Sequence, residues 1–463
     1  MNQEMFRNIP KMDVLLELPQ AVALEKEYSH TYLKESIQQY LEMLRRKIAN
    51  GELDAVPGSM EIIEAVAKKM ETDTQYTLKP VINATGVVLH TNLGRAPLGR
   101  EITKRLQDVA QGYCNLEYDI KEGKRGSRYV HVEKLLCRLT GAQAALVVNN
   151  NAAAVFLMLN TLAKGESTVI SRGELVEIGG SFRIPEIMEQ AGTQLIEVGT
   201  TNKTHASDYI KAIEEQEAKV LLKVHSSNFE ITGFSESVEI EELSQIAKAH
   251  GKMLLYDLGS AFMMQPERLG LHAGSLVQKA IKDGADVVCF SGDKLLGSAQ
   301  TGIILGKKEY IERMKKNHLT RMLRVDKLTL SVLEQTLLYY QDEREAISHI
   351  PVMKMLEASQ ETLKERAGKL AQELKQADET LNAQVVSCKD EPGGGSLPNV
   401  YLDGYAVVIS KEGWKVEDLE KQLRGYKIPI IARIYKDRLL LSVRTLQEKD
   451  DKVIKEALKA IEA

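Results

Sequence analysis

Between residues 147 and 306 short, continuous apolar runs alternate with amphipathic stretches, and this alternation restricts the fold more than any other feature of the chain. TVIS, QLIEVG, VLLKVH, MLLYD, VVCFS and GIILG read as strands without a polar face, while residues 207 to 218 and 239 to 250 carry apolar positions at helical spacing. Strands that are apolar on both faces have to be covered on both faces. A mostly parallel sheet with helices above and below does this, so the predicted fold class is α/β. In such sheets ligands gather beyond the carboxyl ends of the strands. Thr200, Thr201, His225, Asn228, Asp257 and Lys294 all fall at predicted strand ends and are expected to share one site.

The stretch ADVVCFSGDKLLGSAQTGIILG, residues 285 to 306, presents Lys294 on a loop between two buried strands. Burial disfavours the charged amine, which equips it as a Schiff-base nucleophile towards an aldehyde such as pyridoxal phosphate. A lysine snorkelling from a strand end is the structural alternative. Two other segments favour chemistry. KMLLYDLGS delivers Asp257 at the end of a strand, 294 − 257 = 37 positions before the lysine, where a carboxylate pairs with a pyridinium nitrogen. VVNNNAAAVFLMLNTLAKG is a strand breaking into a helix whose start offers free amides to a phosphate. Asn151, Ala152 and Ala153 form the expected cradle, with Ser291 as a second phosphate ligand.

Around this core the chain divides into a helical unit over residues 1–75, an α/β core over 76–340 and a small α+β domain over 341–463, with the loop EPGGGSLP as the flexible approach of the last. In the first, Leu33, Ile37, Tyr40, Leu41, Leu44 and Ile48 recur at helical spacing beside the basic run Arg45, Arg46 and Lys47, a solvated face or a phosphate contact. Arg95 sits in a Gly and Pro turn as an anion fork or a loop pin. Lys121, Lys124, Arg125 and Arg128 make a second basic loop. Arg321 and Arg324, three apart, form an anion clamp or a surface pair. Arg444, after the last strand, is a substrate-carboxylate arginine or a structural ion pair. The four cysteines lack a C-x-x-C pair and read as reduced, mostly buried thiols, and no histidine spacing indicates a metal. With 43% hydrophobic and 27% charged residues the composition is that of an ordinary globular protein. A formal charge of −4 argues mildly against a nucleic-acid binder, so RNA contact would need local basic patches. No leader or long apolar run is visible, and the expected location is cytoplasmic.

The order of phosphate helix, aspartate and Ser-x-x-Lys is that of fold-type I pyridoxal phosphate enzymes. The longer stretches INATGVVLHTNLGRAPL, YVHVEKLLCRLTGAQAALVVNNNAAAV, EVGTTNKTH, KVHSSNFEITGF, SGDKLLG and LRVDKLTL resemble the bacterial selenocysteine synthase family over nearly the whole chain. The resemblance implies a β-replacement on serine esterified to tRNA(Sec), with selenophosphate as selenium donor and a ring-shaped decamer, a pentamer of dimers, as the assembly. It implies Lys294 as the Schiff-base residue, Asp257 as partner of the pyridine nitrogen, and Arg95, Arg321 and Arg324 as holders of the selenophosphate phosphoryl group, with Thr200, Thr201 and Asp293 nearby. It also makes the amino-terminal unit the tRNA-specific part. Two segments depart from the family pattern: GSAQTG stands where GGPQAG is common, and DLGSAFM where DLGSGS is typical, placing Ser298, Ala299, Ala261 and Phe262 near the pocket. The alternatives are a related pyridoxal phosphate lyase acting on a small, phosphorylated amino acid, and a non-catalytic tRNA-binding protein.

Overall fold

A computed structural model describes residues 2–180 and 182–461. It divides into two compact units, one up to Pro80 and one from Val81. The first is all helical: Asn2–Arg7, Met12–Leu16, Pro19–Glu27, His30–Ala49 and Ser59–Thr74. In the long fourth helix Leu33, Ile37, Leu41, Leu44 and Ile48 are buried on one stripe, against Ile62, Ile63, Val66 and Met70 of the fifth. The Ser29 hydroxyl accepts from the Tyr32 amide at its start, and Asn50 caps its end before Gly51, whose φ of 72° stops it. The three preceding helices fall within the expected helical unit, though each is too short to show a period of its own; Leu15 and Ala21 anchor two of them. Arg45, Arg46 and Lys47 are exposed.

The second unit is built on seven strands: β1 (Ala144–Val148), β2 (Ser167–Ser171), β3 (Gln194–Val198), β4 (Val220–Val224), β5 (Met253–Gly259), β6 (Val287–Ser291) and β7 (Gly302–Gly306). Their order is β1-β7-β6-β5-β4-β2-β3, parallel except for β7. The connection from β6 to β7 is a loop too short to cross the sheet, so β7 returns antiparallel. Alternate residues enter separate cores. Val147, Leu221, Leu254, Val288 and Ile303 pack on one face, and Leu146, Leu222, Leu255, Val287 and Ile304 on the other. The expectation of strands apolar on both sides has this physical basis. Among residues 171 to 188 a short hairpin pairs Glu177–Ile178 with Phe182–Arg183; Ser181 of that stretch lies outside the described residues. The second basic loop is a hairpin pairing Tyr118–Asp119 with Lys124–Arg125, and two of its cations are engaged by Glu117, Arg125 at 3.2 Å and Arg128 at 2.9 Å through Nε. Of the four free cysteines Cys289 is buried, Cys137 and Cys388 are half-buried and Cys114 is exposed, a correction to the expectation of mostly buried thiols.

A smaller antiparallel sheet follows, of β8 (Leu381–Asp390), β9 (Leu402–Lys411), β10 (Arg433–Ile434) and β11 (Leu439–Ser442), in the order β8-β9-β11-β10. Helices Gln360–Ala377, Val416–Arg424 and Asp450–Ala460 cover it through Leu370, Leu374, Leu419 and Ile454. Ile82–Asn83 pairs in parallel with Ile430–Ile431, so the chain just after Pro80 joins this layer and not the central sheet. Arg444 is resolved as a structural pin: Nε meets Asp390 Oδ2 at 3.0 Å, and the other two nitrogens donate to the carbonyls of Met355 and Asp403. No helix among the described residues is long and apolar enough to cross a membrane.

Candidate active site

Lys294 lies three residues beyond the end of β6 and is 6% exposed. Gly292 permits the turn, since a Cβ there would lie 2.0 Å from the Thr301 hydroxyl. Burial, and then the positive charge of Arg95, lower the pKa of the Lys294 amine; Asp257 and Asp293 act against them. The amine is therefore neutral, and nucleophilic, at lower pH than an ordinary lysine. Arg95, at a left-handed φ of 59° after Gly94, donates from Nη1 to Asp293 Oδ2 at 2.9 Å, and the Ser291 hydroxyl donates to the other oxygen at 2.8 Å. Asp293 is thus clamped beside the lysine, with the charge of Arg95 facing the site. Because the Ser291 hydroxyl proton is committed to Asp293, a role for Ser291 at a phosphate would require it to turn.

Asp257 is 2% exposed in β5, in register with Cys289 of β6 and Val224 of β4. Its Oδ1 accepts three donors: Asn151 Nδ2 at 2.8 Å, the Gly259 amide at 2.9 Å and the Cys289 thiol at 3.6 Å. Burial raises its pKa, and those donors together with Lys294 resist the rise. Asn151 opens the Asn151–Leu162 helix. The preceding Asn150 caps that helix by accepting from the Ala153 amide at 2.8 Å. The expected cradle is therefore revised: Ala153 has a partner already, the Asn151 side chain is turned to Asp257, and the amides of Asn151 and Ala152 donate to no group among the described residues.

The other expected residues are dispersed. His225 is half-buried, its amide bonded to the Asp257 carbonyl at 2.8 Å, and burial with the charges of Lys223 and Lys294 lowers its pKa, which keeps the ring neutral. Asn228 is exposed and donates to the Glu177 carbonyl at 3.2 Å. Thr200 and Thr201 lie in an exposed turn after β3 and line, with Ser171, Glu174, Lys223 and His225, a cleft of about 450 Å³. Arg324 reaches Glu117 at 3.5 Å, beside Arg128, and Arg321 is exposed. The Arg324 backbone bridges Val148 at the end of β1, just before the Asn151–Leu162 helix. A single chain hence sets two hydrogen-bonded groups about Lys294, Arg95–Asp293–Ser291 and Asn151–Asp257–Cys289, and leaves Asn228, Thr200, Thr201, Arg321 and Arg324 outside both.

Two contributors escaped the sequence reading. The EPGGGSLP segment, expected to be a flexible approach, packs onto the site: a Cβ on Gly395 would lie 3.4 Å from Lys294 Nζ, and one on Gly393 2.6 Å from the Leu89 carbonyl. Three consecutive glycines were the available signal, read as flexibility where close approach was required. Cys289 was read only as a buried thiol. Several buried polar atoms near these residues lack a partner among the described residues: Arg95 Nε, Asn151 Oδ1, Ser227 Oγ, Ser260 Oγ, Ser396 Oγ and His90 Nδ1. Unpartnered buried polar groups are costly, so their concentration here marks where a polar ligand completes the structure. A buried amine, a carboxylate with one oxygen unbonded and two free amides at a helix start are the donor set that a phosphorylated pyridine aldehyde requires.

Comparison with known proteins identifies relatives of the chain. Residues 81–447 match the family model described as L-seryl-tRNA selenium transferase, and residues 6–45 match that described as selenocysteine synthase N terminal. The chain is 47% identical over 459 residues to a protein of Caldanaerobacter subterraneus subsp. tengcongensis named L-seryl-tRNA(Sec) selenium transferase, covering 99% of each. Proteins of the same name from Clostridium botulinum (strain Okra / Type B1) and Geobacter metallireducens are each 45% identical, again over 99% of both chains. Among solved structures, D-glucosaminate-6-phosphate ammonia-lyase superposes with a TM-score of 0.56 at 21% identity, covering 85% of this chain and 97% of that one, a likeness of fold alone. With the match running through both units, and through the segments that carry the lysine and the aspartate, the chain belongs to the L-seryl-tRNA selenium transferase family.

Proposed function

We propose that this protein converts seryl-tRNA(Sec) to selenocysteinyl-tRNA(Sec), with pyridoxal phosphate as cofactor and selenophosphate as selenium donor. One observation carries the reading: a buried lysine amine held below its usual pKa, next to a buried carboxylate with an oxygen to spare. When bound, the cofactor supplies an electron sink that loosens the α-proton of serine and lets the β-hydroxyl leave. Lys294 Nζ would hold the aldehyde carbon and would move the α-proton. Asp257 would keep the ring nitrogen protonated. Asn151 and Ala152 would offer their amides to the phosphate, with Ala153 and Ser291 beside them, and the neutral His225 ring and Asn228 would complete the cofactor's surroundings. Asp293 holds Arg95, which with Thr200, Thr201, Arg321 and Arg324 binds the selenophosphate phosphoryl group.

We further propose a homo-oligomer, a decamer built as a pentamer of dimers, with active sites lying across a dimer interface. The exposed Arg45, Arg46 and Lys47 of the helical unit meet tRNA phosphates, and the protein works in the cytoplasm. The test offers seryl-tRNA(Sec), seryl-tRNA(Ser) and free serine, each with selenophosphate. Only the first is expected to yield a selenocysteinyl product; turnover of free serine alone would identify a small-molecule lyase instead.

A further inference from the structure

The three donors to Asp257 converge on one oxygen, Oδ1, although they come from three different elements: the start of the Asn151–Leu162 helix, β5 itself and the adjacent β6. Oδ2 has no partner among the described residues, and it is absent from the set of fully enclosed orphan atoms, so it faces open space. The Gly259 amide is two residues along the same strand and sets only the local turn. The Cys289 thiol, whose pKa burial raises, remains a protonated but weak donor. Asn151, at 2.8 Å, is the one side-chain N–H donor of the three, and helix packing fixes its backbone.

We infer that Asn151 is a positioning residue for Asp257 and that its side chain is not a phosphate ligand: its amide group pins Oδ1 and thereby presents Oδ2 to the pyridine nitrogen of the cofactor. The inference rests on the proposed use of pyridoxal phosphate. The chemistry follows from the asymmetry. An oxygen that already accepts three donors is a poor base, so the proton shared with the ring goes to the free oxygen in a fixed direction. Without Asn151 the carboxylate rotates, and burial favours its neutral form, which no longer stabilises a charged ring.

Phosphate binding and ring pairing separate experimentally, because pyridoxal has the ring without the phosphate. The full-length protein, stripped of cofactor, is titrated with pyridoxal phosphate and with pyridoxal while the visible band is followed across pH. Asn151→Leu is expected to weaken both aldehydes to the same degree, about tenfold, as for loss of a hydrogen bond to a charged group. It is also expected to move the pH midpoint of the band, with an unchanged far-ultraviolet circular dichroism spectrum. A loss confined to pyridoxal phosphate would make the Asn151 side chain a phosphate ligand and overturn the inference, as would no change for either aldehyde. Asn151→Asp keeps the shape should the leucine variant not fold. Its affinity for pyridoxal is expected to fall as pH rises and both carboxylates ionise, and a pH-independent affinity equal to wild type would overturn the inference. If neither aldehyde forms a borohydride-stable adduct on Lys294 of the wild-type protein, the cofactor reading itself fails, a result distinct from every variant outcome.

Discussion

Two buried ionic clusters of the second unit share a vocabulary of carboxylate, cation, hydroxyl and thiol, yet are finished differently. At Asp390 and Arg444 every group is used. Oδ2 holds the guanidinium, Oδ1 takes the Ser442 hydroxyl at 2.8 Å and the Cys388 thiol at 3.5 Å, and the remaining arginine nitrogens go to carbonyls. Backbone presses on it as well, since a Cβ at Gly86 or at Gly404 would each lie 2.1 Å from an Asp390 oxygen. Around Lys294 the same kinds of group are left incomplete: an arginine with an idle Nε, an asparagine with an idle Oδ1 and an aspartate with one oxygen unbonded. A saturated cluster holds elements together; an unsaturated one waits for a ligand.

The comparison breaks or sharpens under mutation. Lys294→Ala should have the largest consequence, complete loss of the borohydride-reducible visible chromophore and of product formation; a variant retaining the same chromophore would show that the unsaturated cluster serves something else. Arg444→Met leaves Asp390 buried without its cation and should reduce unfolding free energy by about 3–5 kcal/mol in denaturant titrations. The same variant should leave the pH dependence of cofactor capture at Lys294 untouched, and a loss under about 1 kcal/mol would remove the contrast. Arg95→Ala has a smaller and opposite profile. Removing a positive neighbour and releasing Asp293 both raise the Lys294 pKa, so the rising limb of the capture-rate profile should move to higher pH, with little change in stability. A shift to lower pH would contradict the charge assignment. The smallest effect on either cluster is expected from Arg45→Ser, Arg46→Ser and Lys47→Ser together. The triple variant should weaken tRNA binding and flatten its log-log salt dependence by about 0.7–0.9 for each phosphate no longer neutralised, while cofactor capture is unchanged.

Much of the candidate site was legible because it is local. Lys294 and Asp257 were found from runs of apolar residues ended by glycine and serine, a pattern set by how a buried strand must stop. The residues that went astray are those with more than one plausible partner. Asn151 stands at a helix start, where an amide side chain suits a phosphate, but its partner is 106 positions away in β5. Ser291 and Ala153 were already engaged, by Asp293 and by the Asn150 cap, which spacing does not reveal. Strand Leu381–Asp390 was overlooked because only Leu381, Ala383 and Asp390 along it are buried, leaving too weak an alternation.

Sequence alone determined the layered α/β plan, the lysine and the aspartate at adjoining strand ends, and the helical unit at the amino terminus, because periodicity and strand termination are properties of neighbours in the chain. Tertiary structure alone decided which oxygen of Asp257 is occupied, that Gly395 closes over the lysine, and that Arg444 is a pin and not a substrate contact. Hydrogen bonds form between atoms a few ångströms apart whatever their separation in sequence, and only the folded chain brings residues 151, 257, 294 and 395 to a common point.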